Sequence, residues 1–192
     1  GSGGLVSVDT CKEQMIYEIH NPKAYLTPDA TADFSQVTFQ KIGENKVCAE
    51  HAMTHGRPET LKVSVGYKDC FIGEGEISYG GSNCMARAEL AAEILEKRIA
   101  LTRIELEEYR TDYIGCNSLY RDAISKELSS GTSCEVRLRV AGRSKNRKNA
   151  VLLANEVEAL YTNGPAGGGG AVKRVSEIVS VCSIFVPRDA VT

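Results

Sequence analysis

The chain has 192 residues, a formal net charge of −2, and 42% hydrophobic against 25% charged residues. That is enough apolar material for a core and too weak a basic balance for a general nucleic-acid binder. No apolar run approaches the roughly 18 residues of a membrane-spanning helix, and no basic-then-apolar start marks a secretion signal, so the expected setting is cytoplasmic.

In chain order, the opening GSG is left out of the fold reading. Asp9 to Ile19 reads as a short helix, capped by Asp9 or Thr10, with Met15, Ile16 and Ile19 on one face. The two prolines of "NPKAYLTPD" make that stretch a turn. From Phe34 to Tyr79 the period changes to two. Val37 and Phe39 alternate with polar neighbours, "IGENK" reads as a hairpin turn, and Val47, Ala49 and His51 alternate after it. Leu61, Val63, Val65 and Tyr67 share a strand face, and "FIGEGEISYG" reads as a further strand. Gly73 and Gly75 inside it signal a bulge or a close backbone approach.

The longest helix is expected from Ser82 to Arg110. Ala88, Ala91, Ala92, Leu95 and Ile99 form its apolar stripe, which Leu90, Ile94 and Leu101 broaden until it is wide enough to pack on a sheet. Tyr109, Tyr113 and Tyr120 follow in a helical reading that ends near Ser130 and Gly131. "CEVRLRVAG" then alternates, with Val136, Leu138 and Val140 inward and Arg137 and Arg139 outward. A helix from Lys145 to Tyr161 follows, with Ser144 as cap and Ala150, Leu153, Ala154, Val157 and Leu160 on its buried face. After the glycine stretch comes a long apolar strand, read as interior and ending at Pro187. Were the two flanking strands parallel neighbours, they would form a right-handed crossover. The fold class is therefore α+β: a mixed, partly antiparallel sheet against a long central helix and a C-terminal strand-helix-strand unit. One domain is expected, with a β-rich half at 1–80 and a helix-rich half at 81–192.

Several stretches together carry a family likeness: "GGLVSVDT" (3–10), "IYEIHNPKAYLTPDATADF" (16–34), "HGRPETLKVSVGYKD" (55–69), "YGGSNCMARAELAAEIL" (79–95) and "NEVEALYTNGPAGGGG" (155–170). The chain resembles the acyclic terpene utilisation family AtuA over residues 3 to 187. The resemblance implies a C-terminal portion of a longer protein, partnered by its N-terminal portion. It also implies a setting in the breakdown of acyclic terpenoids or other branched organic acids through CoA thioesters, and it supplies a metabolic context rather than a chemical step.

Candidate site residues follow from these motifs. The stretch from Asn163 and Gly164 to Gly170 offers successive main-chain amides that suit a phosphate, but Gly170 stands where a P-loop has lysine, and the order helix-loop-strand is the reverse of that motif. Its plain reading is a helix cap and turn, with Gly164 left-handed; a flap over a site is a third. Arg57 beside Pro58, Lys68, Asp69, the Gly80–Gly81 turn and Arg87 are the candidate ligand-facing residues. Arginine grips carboxylates bidentately, while surface ion pairing is the plain alternative. Lys68, Asp69 and the glycine turn are expected at the far ends of adjacent strands. The cluster Arg137, Arg139, Arg143, Lys145, Arg147 and Lys148 suits a CoA or nucleotide phosphate, or else a solvated face that meets an acidic partner.

No metal is expected. Seven cysteines, an odd number without close pairs, lack zinc or disulfide spacing. His51 and His55 stand four apart but not on a helix, and His20 is isolated. Cys70 and Cys84 flank the Lys68–Arg87 region and read as buried packing ahead of reactive thiols. An iron–sulfur lyase remains a third functional reading. The expectation is a small organic acid or acyl-CoA as ligand in a catabolic enzyme, with a non-catalytic interaction or oligomerisation module as the alternative. A homo-oligomer is expected, with no nucleic acid and no membrane as partner.

Overall fold

The computed structural model describes residues 2–128 and 134–191. Its order is α1 (Val8–Ile16), β1 (Tyr25–Leu26), β2 (Thr31–Asp33), β3 (Thr38–Gly43), β4 (Lys46–Glu50), β5 (Met53–His55), β6 (Thr60–Gly80), α2 (Cys84–Thr102), β7 (Glu108–Ile114), α3 (Arg121–Leu128), β8 (Glu135–Ser144), α4 (Arg147–Asn163), β9 (Gly168–Pro187) and a closing 3-10 turn, Arg188–Ala190. The class is α+β. The chain forms two compact units, Gly1–Val65 with Val181–Thr192, and Gly66–Ser180.

In the first unit, α1 starts earlier than expected because Ser7, not Asp9 or Thr10, is its cap. Ser7 and Thr10 bond reciprocally across the first turn. The helix ends at Ile16, before Ile19. The expected hairpin is present: β3 and β4 pair antiparallel, with Asn45 at positive φ in the turn. This unit also holds a small antiparallel sheet of order β1-β2-β5, the start of β6, the end of β9 and the 3-10 turn.

The second unit holds one sheet of order β7-β8-β6-β9. β8 runs antiparallel to both β7 and β6. Along β6 and β9 the contacts run in opposite senses. Gly66 faces Val179, Lys68 pairs with Glu177, Glu74 pairs with Arg174, and Ile77 meets Gly168. These two strands are therefore antiparallel as well. β8 and β9, which flank α4, point the same way but are separated by β6, so the expected parallel neighbours are one strand apart. The two expected strands, "LKVSVGYKD" and "FIGEGEISYG", are a single 21-residue strand.

α2 and α4 cover one face of this sheet. The core consists of Ile77, Tyr79, Cys84, Ala88, Ala91, Ala92, Leu95, Val136, Leu138, Val140, Leu153, Val157 and Leu160. The buried face of α4 is Ala150, Leu153, Ala154, Val157 and Leu160, as expected. Its cap is Asn146, whose side chain accepts from Lys148 N, while Ser144 Oγ accepts from Asn146 N. Gly73 and Gly75 are the points of close approach. A Cβ would lie 2.0 Å from Ala150 O in the first and 2.4 Å from Val157 Cβ in the second.

Three expectations fail here. α2 stops at Thr102, not Arg110. The Arg103 N–H donates to Ala100 O and the Ile104 N–H to Ile99 O, with Arg103 left-handed. This Schellman closure uses arginine where glycine is the usual signal. Tyr109 and Tyr113 accordingly sit on strand β7 and not on a helix, and Leu90 and Leu101 are exposed instead of widening the stripe. The third failure is β9, which is an edge strand and not an interior one. Val172 and Val179 are 52% and 62% exposed. The expected helix end near Ser130 and Gly131 lies outside the described residues.

Candidate functional site

At the end of β6 the chain turns through Gly81, at φ 78, and Asn83, at φ 57, directly into α2. The N-cap Asn83 makes no side-chain cap bond, and the first turn of α2 carries no acidic residue. The opening turn thus keeps the partial positive charge of a helix start. Strand, glycine turn and helix is the order in which main-chain amides hold anions.

Arg87 lies one turn into this helix and adds a full positive charge. Its Nη1 donates to Ala166 O at 2.9 Å, and its Nη2 donates to Ser82 O at 3.1 Å and to Gly80 O. Among the described residues it has no carboxylate partner. A guanidinium has five N–H donors, so two remain, on Nε and Nη1. The guanidinium also lies 6.0 Å from the centre of the Tyr79 ring, at the outer limit of cation–π range.

The glycine stretch closes over this point. Gly167 has φ 78, and a Cβ there would come within 2.6 Å of Arg87 Nη1. A Cβ on Gly168 would meet Ile77 Cδ1 at 2.9 Å and Tyr79 Cε1 at 3.1 Å. Only glycine lets the main chain pass this close. Tyr79 is fully buried, and its hydroxyl has no hydrogen-bond partner among the described residues. Burial raises its pKa, and the nearby Arg87 charge partly opposes that.

The structure therefore brings Gly80, Gly81, Arg87 and the segment after Asn163 and Gly164 to one place. Gly164 caps α4 through a bond from its N–H to Leu160 O, but its φ of −95° is extended and not left-handed. Lys68 and Asp69 do not join this cluster. They and the Gly80–Gly81 turn are not at the ends of adjacent strands, as expected, but at opposite ends of the unit's stretch of β6. With about 3.3 Å per strand residue, those ends are far apart for one small ligand. Lys68 pairs with Glu177, and Asp69 holds Arg143, Lys145 and Ser180. Arg57, in the other unit, pairs with Asp29 at 3.4 Å. Tyr79 and Ser82 were not singled out in the sequence, although both stand inside "YGGS"; an aromatic residue just before a strand-to-helix glycine turn was the available signal.

Within the basic cluster the β8 arginines and Lys145 are paired with carboxylates, whereas Arg147 and Lys148 stand exposed in the first turn of α4. On the sheet face away from α2 and α4, Arg137 pairs with Glu76, Arg139 with Glu74 and Asp112, and Arg143 with Asp69 and Glu107. Asp112, 2% exposed, also accepts from Arg110 and Arg121. The Arg139 hydrogen bond holds the Glu74 carboxyl below its ordinary value, as the Ser180 hydroxyl does for Asp69. A cleft of about 280 Å³ on Glu74, Gly75, Glu76, Val172, Lys173 and Arg174 shares these paired charges.

Among the described residues no group of three or more His, Cys, Asp or Glu could hold a metal ion, and no helix is long and apolar enough to cross a membrane. His51 Nδ1 lies 3.0 Å from Thr38 Oγ1 and His55 lies beside Asp33, so the two histidines have separate partners. Cys70 and Cys84 are both buried.

Fold and site together define an α+β protein with an uncompensated arginine at a glycine-bounded helix start. The family model described as acyclic terpene utilisation family protein AtuA matches residues 1–192, and the chain belongs to that family. No curated protein and no solved structure matches it.

Proposed function

We propose that this chain serves acyclic terpene utilisation by holding the anionic end of its ligand at the start of α2. The ligand class is a branched acyclic organic acid or its CoA thioester, whose carboxylate or phosphate would take the two remaining Arg87 donors and the Met85 and Ala86 amides in the first turn of α2. The observation that carries this reading is the Arg87 guanidinium. It has main-chain carbonyls but no carboxylate as partners among the described residues, on a helix turn without an acidic side chain. An unneutralised cation at a helix N-terminus is electrostatically unfavourable until an anion arrives.

The test is thermal unfolding of the protein with free CoA, acyl-CoAs, branched carboxylates and inorganic phosphate. A ligand at a hundred times its Kd should raise Tm by roughly 5–10 °C. Arg87→Ala should abolish that shift, and the free variant should still unfold cooperatively. An equal shift in the variant would remove Arg87 from the site. Stabilisation by phosphate as strong as by any CoA ester would mean recognition of the anion alone.

A further inference from the structure

We propose that β9 is the interface of a symmetric dimer, in which its edge pairs antiparallel with the same strand of a second copy, centred on Val175. The inference is independent of the Arg87 site. Among the described residues no strand lies beyond β9 in the sheet order, so the outer N–H and C=O groups of its 171–179 stretch have no partner strand. Such an edge is a template for another strand, and a second copy fits it in one register.

Antiparallel pairing about a two-fold axis perpendicular to the sheet keeps each face continuous. Residues directly opposite each other must then lie on the same face, which by alternation restricts the choice of register. With Val175 opposite itself, Lys173 lies opposite Glu177 of the second copy, and the symmetry repeats this pair. On the same face Ala171 meets Val179. On the other face Val172 meets Ile178, and Arg174 meets Ser176. Apolar residues meet apolar ones, Lys173 meets Glu177, and the remaining charge, Arg174, meets the small polar Ser176. A shift by one residue of the centre in either direction breaks the match: centred on Arg174 it sets Arg174 against itself and Ala171 against Glu177, and centred on Ser176 it sets Lys173 against Val179 and Arg174 against Ile178. The charges that discourage indiscriminate edge pairing thus select this register.

The side chains are available. Lys173 is bonded to Glu158 and Asn155 of α4, and Glu177 to Lys68, yet they remain 41% and 47% exposed. An ammonium and a carboxylate each accommodate a further partner. Val172 and Val179, exposed in the single chain, would be covered.

Sedimentation of the protein over a wide concentration range should show a dimer. Lys173→Glu and Glu177→Lys each place two like-charged pairs across the axis, so each should weaken the dimer by roughly ten-fold or more. An equimolar mixture of the two variants sets glutamate against lysine at both contacts and should regain the dimer as a heterodimer. The double variant Lys173→Glu/Glu177→Lys restores both contacts in a homodimer and replaces the mixture if a single variant fails to fold by circular dichroism. A wild-type monomer at every concentration overturns the proposal and leaves the edge to a different chain. A dimer indifferent to both single swaps, or folded variants that do not reassociate on mixing, overturns it as well.

Discussion

Asp112 shows how much of this protein depends on pairings between strands. Its carboxylate is buried and meets Arg110, Arg121 and Arg139 at 2.8 to 3.1 Å. The sequence displays the arginines of β8 as a run of positive charge, and nothing in their own neighbourhood shows what neutralises them. Their partners lie on the neighbouring strands β6 and β7 and just before β7, Asp112 directly opposite Arg139 and Glu74 and Glu76 on the diagonals. Asp112→Ala would leave three guanidiniums turned toward an emptied, dry position. We expect a loss of about 3 kcal/mol, the low end for breaking a buried ion pair, because Arg110 and Arg121 are half exposed. Urea unfolding would read it as a lower midpoint with an unchanged slope. A change within about 0.5 kcal/mol, typical of an ordinary surface substitution, would show that the network contributes nothing. Arg87 was legible as a candidate because it stands in a helix-opening motif. What makes it a candidate anion contact, the lack of a carboxylate partner, became visible only when the surrounding chain was in place.

At the scale of elements, periodicity located the helices well and their ends poorly. The buried face of α4 was read correctly because five apolar positions repeat at helical spacing. The end of α2 was missed because a left-handed arginine closes it, and arginine carries no stop signal. β9 was misplaced because a long apolar run suits an interior strand, whereas strand order puts it at the edge. Of the two readings of Gly75, a bulge or a point of close approach, the second holds, since the register with β8 runs unbroken through it. A Cβ there would lie 2.4 Å from Val157 Cβ, so Gly75→Ala must push α4 away from the sheet. The expected cost is about 1–3 kcal/mol, measurable as a lower Tm. A variant as stable as the wild type would show that α4 yields freely at this contact.

For the whole molecule, the paired carboxylates predict an acid response. The Arg139 and Arg174 bonds lower the folded-state pKa of Glu74, and the Ser180, Lys145 and Arg143 contacts do the same for Asp69. A depressed folded pKa means that the unfolded chain takes up protons first as the pH falls. These groups thus stabilise the fold above their ordinary pKa values, and the contribution is lost as the pH drops through the lowered ones. Tm should fall from about pH 4.5 downward. Glu74→Gln should start lower at neutral pH and fall less steeply, so that the two curves converge in acid; parallel curves would contradict the role given to Glu74. The sequence by itself determined the α+β class, the hairpin, the family and the buried face of α4, because each rests on local spacing or local composition. The tertiary structure decided which strand lies at the edge, which arginines meet carboxylates and that Arg87 meets main-chain carbonyls instead. These depend on strand order and register, which bring together residues as far apart in the chain as Glu74 and Arg174, and no local pattern encodes them.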